Sequence, residues 1–134
     1  MKCKMDRDEK TITNRIIKTM NSLKDCWVYK RFAPSGNEAG QPDITGIYKG
    51  KRVEIEVKSP RLLPNDEKTL LESFNALSTL EQQLILKLNL KYASKIQNHY
   101  VRKYWNLGAI SGVVFSEDQA NSLLFLNLNG LYDM

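Results

Sequence analysis

The spacing of apolar residues near the start of the chain predicts a helix. Ile12, Ile16, Met20 and Leu23 recur at intervals of four, four and three residues, which places them on one face of a helix from about residue 8 to residue 24. An apolar face of this length needs a partner. We therefore expect this helix to pack against the rest of the fold.

Residues 27–58 predict three β-strands. Residues 27–32 are rich in β-formers, and the Pro- and Gly-containing residues after them indicate a loop. Strands at residues 43–48 and 52–58 are joined by Lys49-Gly50-Lys51, a turn suited to a hairpin. In the stretch 53–58, VEIEVK, apolar and charged residues alternate strictly. Because side chains alternate along a strand, Glu54, Glu56 and Lys58 share one face.

The second half of the chain predicts further helices around one more strand. Residues 59–76 indicate a long loop with one helical turn, followed by a helix that Ser78 or Thr79 caps. The apolar stripe of that helix is expected at Leu80, Leu84, Ile85 and Leu88, and Glu81 falls within it. Residues 92–105 form an amphipathic segment, 108–116 a buried strand and 117–126 a closing helix. The order predicts a single α/β domain over residues 1–134, a mixed sheet with helices on both faces.

Composition narrows the class of protein. The chain has 134 residues, 42% of them hydrophobic and 26% charged, and no apolar run approaches the roughly 20 residues that span a bilayer. The charged N-terminus lacks the apolar core of a secretory signal, so we expect no membrane association and an intracellular location. The two cysteines lack metal-ligand spacing and are expected to be free thiols.

The net charge and the absence of two nucleotide-binding motifs limit the ligands and the reactions that the chain could support. The net charge of +5 is compatible with a polyanionic partner but does not establish one. The single histidine excludes a histidine dyad, and the lack of both GxGxxG and GxxxxGK[ST] argues against a nucleotide cofactor.

Asp43 and the Glu56-Val57-Lys58 segment suggest metal-dependent phosphodiester chemistry. Two carboxylates on neighbouring strands supply hard oxygen ligands for Mg²⁺, which takes its remaining ligands from water and phosphate. A lysine one strand step beyond Glu56 can hold or deprotonate the attacking water. The alternative interpretation is that Glu54, Glu56 and Lys58 line a solvated strand face and pair with charges on neighbouring strands.

The ordered motifs resemble the PD-(D/E)XK, or restriction-endonuclease-like, nuclease superfamily, and within it a stand-alone VRR-NUC domain of phage type. That pattern is a Glu on the first helix, then G-x-PD, E-V-K, a helix opening with L-S-x-x-Q, and a strand after a glycine. The matching positions here are Glu9, Gly40-Gln41-Pro42-Asp43, Glu56-Val57-Lys58, Leu77 to Glu81, and Gly108 to Ser116. The resemblance implies an α-β-β-β-α-β core, to which residues 59–76 and 89–106 are insertions, the second a basic helix.

The resemblance implies a role for each matching residue. Asp43 and Glu56 would bind Mg²⁺ or Mn²⁺ with the Val57 carbonyl, Lys58 would be the catalytic lysine, and Glu9 would reach the metal directly or through water. The spacing of Glu9 from Ile12 aims it inward, although a capping-box Glu is the alternative. Glu81 would stand in place of the family's Gln, and Gln82 would restore that residue only with a one-residue slip.

The amphipathic segment places cations on one face. Lys91, Lys95, His99, Arg102 and Lys103 are therefore candidate DNA-binding residues that could follow a phosphate backbone. The alternative is a helix face that is simply solvated.

The resemblance implies a Mg²⁺- or Mn²⁺-dependent DNA endonuclease, selective for branched or Holliday-junction-like DNA. Such a protein would work as a homodimer in the cytoplasm of a phage-infected or bacterial host cell. Two alternatives stay open, a restriction-like or general DNA nuclease on the same fold and a non-catalytic nucleic-acid-binding domain. Chelator-sensitive cleavage would separate the enzymes from the binding domain.

Overall fold

The structure is a computed structural model that describes residues 2–32 and 39–134, with side chains from Glu9 onward. Its helices are α1 (Lys2–Asn21), α2 (Asn65–Glu72), α3 (Thr79–Leu88), α4 (Lys95–Asn106) and α5 (Glu117–Leu128). Its strands are β1 (Cys26–Lys30), β2 (Ile44–Tyr48), β3 (Lys51–Val57) and β4 (Ile110–Val114). Within the described ranges, no helix is long and apolar enough to cross a membrane.

The four strands form one mixed sheet in the order β1-β2-β3-β4. The pairs β1–β2 and β2–β3 are antiparallel, whereas β3 and β4 run parallel and are joined by the crossover that contains α2, α3 and α4. The expected α/β class, with a mixed sheet flanked by helices, is confirmed. Ile44 pairs with Ile55. The next residues away from the turn, Asp43 and Glu56, therefore lie beside each other at the open end of the hairpin.

Helices α1 and α5 cover one face of the sheet. Ile16 and Met20 of α1 are fully buried with Ile55 of β3 and Leu123 of α5, as the apolar spacing of the first helix predicts. The helix ends at Asn21, before Leu23, because the Asn21 side chain both accepts from and donates to the backbone of Val28. The chain then turns through Asp25, whose φ is 62°.

Helix α4 covers the β3–β4 half of the opposite face. Its Val101 is fully buried beside Val113 of β4 and Leu90, and the Val101 carbonyl accepts a hydrogen bond from Ser111 Oγ at 2.9 Å. This helix was expected to be a basic insertion, but it packs directly on the sheet. It is therefore part of the layered fold.

Helix α3 is rotated from the orientation that its apolar stripe predicts. Leu80, Leu84 and Leu88 are exposed, whereas Leu86 is fully buried. The side chain of Gln82 faces inward instead, where its Nε2 donates to the carbonyls of Phe74 and Leu77 and its Oε1 accepts from Ser122. Tertiary hydrogen bonding thus outweighs the apolar stripe in this helix. The loop expected at residues 59–76 also contains a full helix, α2.

Gly46 allows β1 and β2 to approach closely, and its replacement tests this packing. A Cβ at position 46 would lie 2.1 Å from the Trp27 carbonyl oxygen and 2.6 Å from Val28 Cα, both backbone atoms. We expect Gly46→Ala to lower the free energy of unfolding by about 2 kcal/mol or more, measured by urea denaturation. Gly50→Asn is the control, because nothing lies within 4 Å of a Cβ there and Asn tolerates its φ of +82°. Equal stability of Gly46→Ala and the parent would contradict this packing.

Candidate active site

Asp43 and Glu56 form the centre of the candidate site. Asp43 precedes β2 and Glu56 lies near the end of β3, where the antiparallel register brings them side by side. The Val57 backbone N–H donates to Asp43 Oδ2 at 2.9 Å, which fixes the aspartate against β3. Glu56 is buried and Asp43 is half-buried, so the pair lies at the boundary between the protein interior and solvent.

Lys58 completes the expected group of three. Its Nζ lies 3.6 Å from Glu56 Oε2, and only 14% of its side chain is exposed. The Lys58 backbone N–H donates to the Val114 carbonyl at 3.0 Å, so the sheet continues to position the chain just beyond β3. The structure thus brings Asp43, Glu56 and Lys58 together.

Gln97 of α4 joins this group, although the sequence interpretation did not assign it a role. Its Nε2 donates to Glu56 Oε2 at 3.1 Å and its Oε1 accepts from Lys58 Nζ at 2.8 Å. The same Oε1 accepts from the Ser94 backbone N–H at 2.8 Å in the capping box that starts α4. Gln97 is therefore held at a helix N-terminus while it bridges the lysine and the glutamate.

Glu81 does not contribute to this group. It is exposed in the first turn of α3, where its carboxylate accepts from the Ser78 backbone in a second capping box. That contact lowers the Glu81 pKa. The assignment of Glu81 to the family's Gln position is therefore not supported by its location, and Gln82 is occupied by its own structural hydrogen bonds. The segment Ser94-Lys95-Ile96-Gln97 has an S-x-x-Q spacing that is detectable in the sequence as a capping-box pattern.

The G-x-PD stretch packs against the same helix. Gly40 has a φ of +88°, and an added Cβ would lie 2.8 Å from the side chain of Ile96 in α4. The next residue, Gln41, accepts a hydrogen bond at its Oε1 from the hydroxyl of Tyr104, further along the same helix, at 2.8 Å. The glycine is required both by its backbone conformation and by this close approach. Helix α4 therefore braces the loop that carries Asp43.

Glu9 lies on the α1 side of the site. It is half-buried and, with Asp43, Lys30, Lys10 and Thr13, it lines a cavity of about 200 Å³. Its charge also reaches Glu56, whose pKa it helps to raise. This location is consistent with the expected role of a helical acid near the metal.

Burial raises the pKa values of both central carboxyl groups. The pKa of Glu56 rises to about 9, chiefly through burial and then through the charge of Asp43, while Lys58 opposes the shift. Burial also raises the pKa of Asp43, against the hydrogen bond from the Val57 N–H. Two desolvated acids beside each other disfavour a second negative charge. A cation placed between them would remove this cost.

The donor atoms fit a hard divalent cation in part. Glu56 Oε1 is buried and has no hydrogen-bond partner among the described residues, so a bound cation would satisfy it. No three His, Cys, Asp or Glu side chains within the described part of the chain are arranged to hold a metal ion. A site built on Asp43 and Glu56 would therefore take further ligands from backbone, water and phosphate, as Mg²⁺ commonly does.

Glu54 has a structural environment that differs from that of Glu56. It is fully buried, and its carboxylate accepts hydrogen bonds from Arg31, from Thr45 Oγ1 at 2.6 Å and from Arg52 Nε at 2.7 Å. Arg31 Nε also donates to the Pro42 carbonyl at 2.9 Å, so this network supports the turn before Asp43. The alternative of a solvated strand face is contradicted, because neither Glu54 nor Glu56 is exposed, but the charge pairing that it expected is present at Glu54.

The basic residues of the second half divide into two groups. Lys95, His99, Arg102 and Lys103 are exposed on α4, and the last three line a shallow depression. Lys91 lies before α4, with its Nζ 3.6 Å from Glu67 Oε1 and 5.1 Å from the Tyr92 ring centroid. An acid therefore partly neutralises Lys91, whereas Lys95, Arg102 and Lys103 are all exposed on α4.

Comparisons of the sequence with protein-family models, with curated proteins and with solved structures found no match. The chemistry of the Asp43 and Glu56 pair is therefore inferred from its own geometry.

Two glutamates on one face of β3 provide a matched test of these environments. Glu54→Gln removes a charge that two arginines require, and we expect it to lower the free energy of unfolding by at least about 2 kcal/mol. Glu56→Gln removes a desolvated acid and should raise the free energy of unfolding by about 1 kcal/mol or more at pH 8 without metal. Urea denaturation in a chelating buffer measures both. Destabilisation by Glu56→Gln would contradict the assigned environment.

The pH dependence of stability gives an independent test of Glu56. Since its pKa rises from 4.5 to about 9 on folding, the folded protein retains this proton at pH values where the unfolded chain has lost it. The metal-free parent should therefore lose stability as pH rises through this range, and Glu56→Gln should show a shallower loss. Identical pH profiles of parent and variant, measured by denaturant titration, would rule out the raised pKa.

Proposed function

We propose that this chain is a Mg²⁺- or Mn²⁺-dependent nuclease that hydrolyses DNA phosphodiester bonds, related to the VRR-NUC branch of the PD-(D/E)XK superfamily. The observation that carries the proposal is Glu56 Oε1, which is buried and accepts no hydrogen bond from the residues that the structure describes. It lies on a carboxylate that neighbours Asp43 and is contacted by both Lys58 and Gln97. An ordinary structural acid would have its oxygens satisfied, as those of Glu54 are.

The residues of the chain have distinct roles in this proposal. Asp43 and Glu56 hold the cation, with the Val57 carbonyl as the proposed backbone ligand and Glu9 acting from α1. When bound, the cation supplies charge neutralisation for the phosphate and favours loss of a proton from water. Lys58 donates a hydrogen bond that orients the attacking water and stabilises negative charge that develops on its oxygen. Gln97 fixes the Lys58 ammonium in position.

A structural alternative accounts less well for the arrangement. Lys58 and Glu56 could form a buried ion pair that only supports the fold. Such a pair stabilises weakly unless hydrogen bonds satisfy its remaining atoms. Here Glu56 Oε1 lacks a partner among the described residues, and burial raises the Glu56 pKa by more than the charge of Lys58 lowers it. The arrangement costs stability, which is typical of a site that binds a cation.

Substrate selection is proposed to involve the exposed basic face of α4. Its four members, Lys95, His99, Arg102 and Lys103, can contact phosphates without disturbing the sheet. Selectivity for branched DNA and action as a homodimer are parts of the same proposal. A cleavage panel of single-stranded, duplex, flap and four-way-junction DNA tests the first. Light scattering of the free and DNA-bound protein tests the second.

Substitution of the three central residues tests catalysis. Asp43→Asn, Glu56→Gln and Lys58→Ala should each lower the cleavage rate with Mg²⁺ by at least about a hundredfold, because each removes a metal ligand or a water-orienting group. Initial rates on the most readily cleaved DNA of the panel provide the measurement.

The matched control is Glu81→Gln, because Glu81 is an exposed acid that caps a helix away from this group. We expect its cleavage rate to stay within about twofold of the parent. Gln97→Ala should give an intermediate loss, of about tenfold, since Lys58 would keep its charge but lose its positioning contact. Parent-like rates for any of the three central variants would remove that residue from the site. Absence of metal-dependent cleavage by the parent would reject the function.

The salt dependence of binding tests the basic face. The triple variant Lys95→Ala, Arg102→Ala and Lys103→Ala should bind duplex DNA more weakly, with a slope of log K against log[salt] shallower by about two to three. Binding is measured with Ca²⁺ in place of Mg²⁺ to suppress cleavage. Lys91→Ala is the control and should change the slope less, because Glu67 partly neutralises Lys91. An unchanged slope in the triple variant would mean that this face is only solvated.

A further inference from the structure

An open aromatic surface lies on the same sheet face as the carboxylates. Trp27 and Tyr29 of β1 point to this face, with ring centroids 5.0 Å apart and planes inclined at 45°. Trp27 is 66% exposed, Tyr29 45% and Ile47 of β2 53%. Helix α4 covers β3 and β4 but leaves this half of the sheet uncovered. These three residues, with Arg52, are called the aromatic platform.

The platform is unusual because large side chains are exposed on a regular strand. Trp27, Tyr29 and Ile47 together with Thr45 and Arg52 border a shallow cavity of about 350 Å³. The strand β1 is at the edge of the sheet, where exposed apolar groups normally favour aggregation. An exposed aromatic surface on an edge strand is therefore expected to have a binding partner.

Positive charge accompanies the aromatic residues of the platform. Arg52 exposes 57% of its side chain, and its guanidinium carbon lies 4.8 Å from the Tyr104 ring centroid. Arg31 lies on the same face, and both arginines contact Glu54. Glu54 is fully buried, so among the residues of this described network only the two arginines reach the surface. The partner should therefore combine flat apolar groups with negative charge.

The platform is also continuous with the candidate active site. Asp43, Thr45 and Ile47 occupy alternate positions along β2 and its entry, so they share one face. Two strand steps separate Asp43 from Ile47, which is about 13 Å. At 3.4 Å per nucleotide of a stacked strand, this corresponds to about four nucleotides. One DNA segment can reach both places.

We propose that the aromatic platform binds unpaired bases of the DNA substrate, which stack on Trp27 and Tyr29 while the adjoining phosphates pass Arg52 towards Asp43 and Glu56. This inference rests on the proposed function, because it takes DNA as the ligand. Stacking on exposed aromatic side chains is how proteins hold single strands without reading their sequence. In an intact duplex the base faces are inaccessible, so the platform selects DNA that has a single-stranded region.

The proposal is tested by measuring the binding of three matched DNA probes. All proteins carry Asp43→Asn, so that the probes are not cleaved during the measurement. The probes are a twelve-nucleotide oligothymidylate, the same backbone with abasic sites, and a fully paired duplex. We expect the parent to bind the oligothymidylate at least about tenfold more tightly than the abasic strand. In the double variant Trp27→Ala and Tyr29→Ala, the affinity for the oligothymidylate should fall at least about tenfold. The affinity for the other two probes should fall less than about twofold. The salt slope should stay unchanged, since no phosphate contact is removed.

Two further variants control for folding and for general aromatic exposure. Trp27→Phe keeps a stacking ring and should retain most of the oligothymidylate affinity. Phe125→Ala removes an aromatic side chain of similar exposure, 57%, from α5 and should leave the affinity unchanged. Thermal melting confirms that each variant is folded. Direct evidence for stacking comes from quenching of Trp27 fluorescence by oligothymidylate in a Trp105→Phe background.

The outcomes separate this inference from the proposed function. The proposal would be overturned if the double variant lost the same affinity for the intact and the abasic strand, or lost none. This holds even if the parent cleaves DNA. Selective loss and Trp27 quenching would support it even if the parent shows no metal-dependent cleavage. Concentration-dependent self-association that the double variant abolishes, with oligothymidylate affinity unchanged, would identify the platform as a contact between two copies of the chain and overturn the proposal.

Discussion

The site depends on the hydrogen bond from the Val57 N–H to Asp43 Oδ2, because it joins two strands where their regular pairing ends. The β2–β3 register brings the two acids to the same position, and this bond holds them there despite their repulsion. The side chain of Val57 is meanwhile fully buried in the core on the other face of the sheet. A backbone donor anchored by the core thus sets the geometry of the charged group.

The two glutamates of β3 show how the fold distributes the cost of buried charge. Glu54 is fully satisfied by two arginines and a threonine, and it supports the turn before Asp43 through Arg31. Glu56 receives a weaker set of contacts and keeps one oxygen without a described partner. The satisfied structural acid and the acid with the raised pKa are therefore separate residues on one strand. Such a separation lets a site be strained while its support remains rigid.

The strands and the central acids could be predicted from sequence because both depend on local patterns. Strict alternation in β3 placed Glu56 and Lys58 on one face, and the Gly-containing turn fixed the hairpin that returns Asp43 to them. The choice between α3 and α4 could not be made in this way. Ser78 to Glu81 and Ser94 to Gln97 are both capping boxes, and local sequence does not state which helix start meets the sheet. The leucine spacing of α3 predicted the wrong buried face, because the orientation of this helix also depends on tertiary contacts. The inward hydrogen bonds of Gln82 determine it.

Helix α4 carries the lysine-positioning Gln97 on its sheet side and exposed cations on its outer side. It is a single helix of 12 residues, about 18 Å long, and its first turn is locked by the Ser94 capping box. A rigid rod transmits displacement along its length with little loss. A pull on its outer surface would therefore shift the Gln97 amide relative to Lys58 and Glu56. The hydrogen bonds of Gln97 to Lys58 and Glu56 therefore tie the position of the whole helix to the alignment of charge inside.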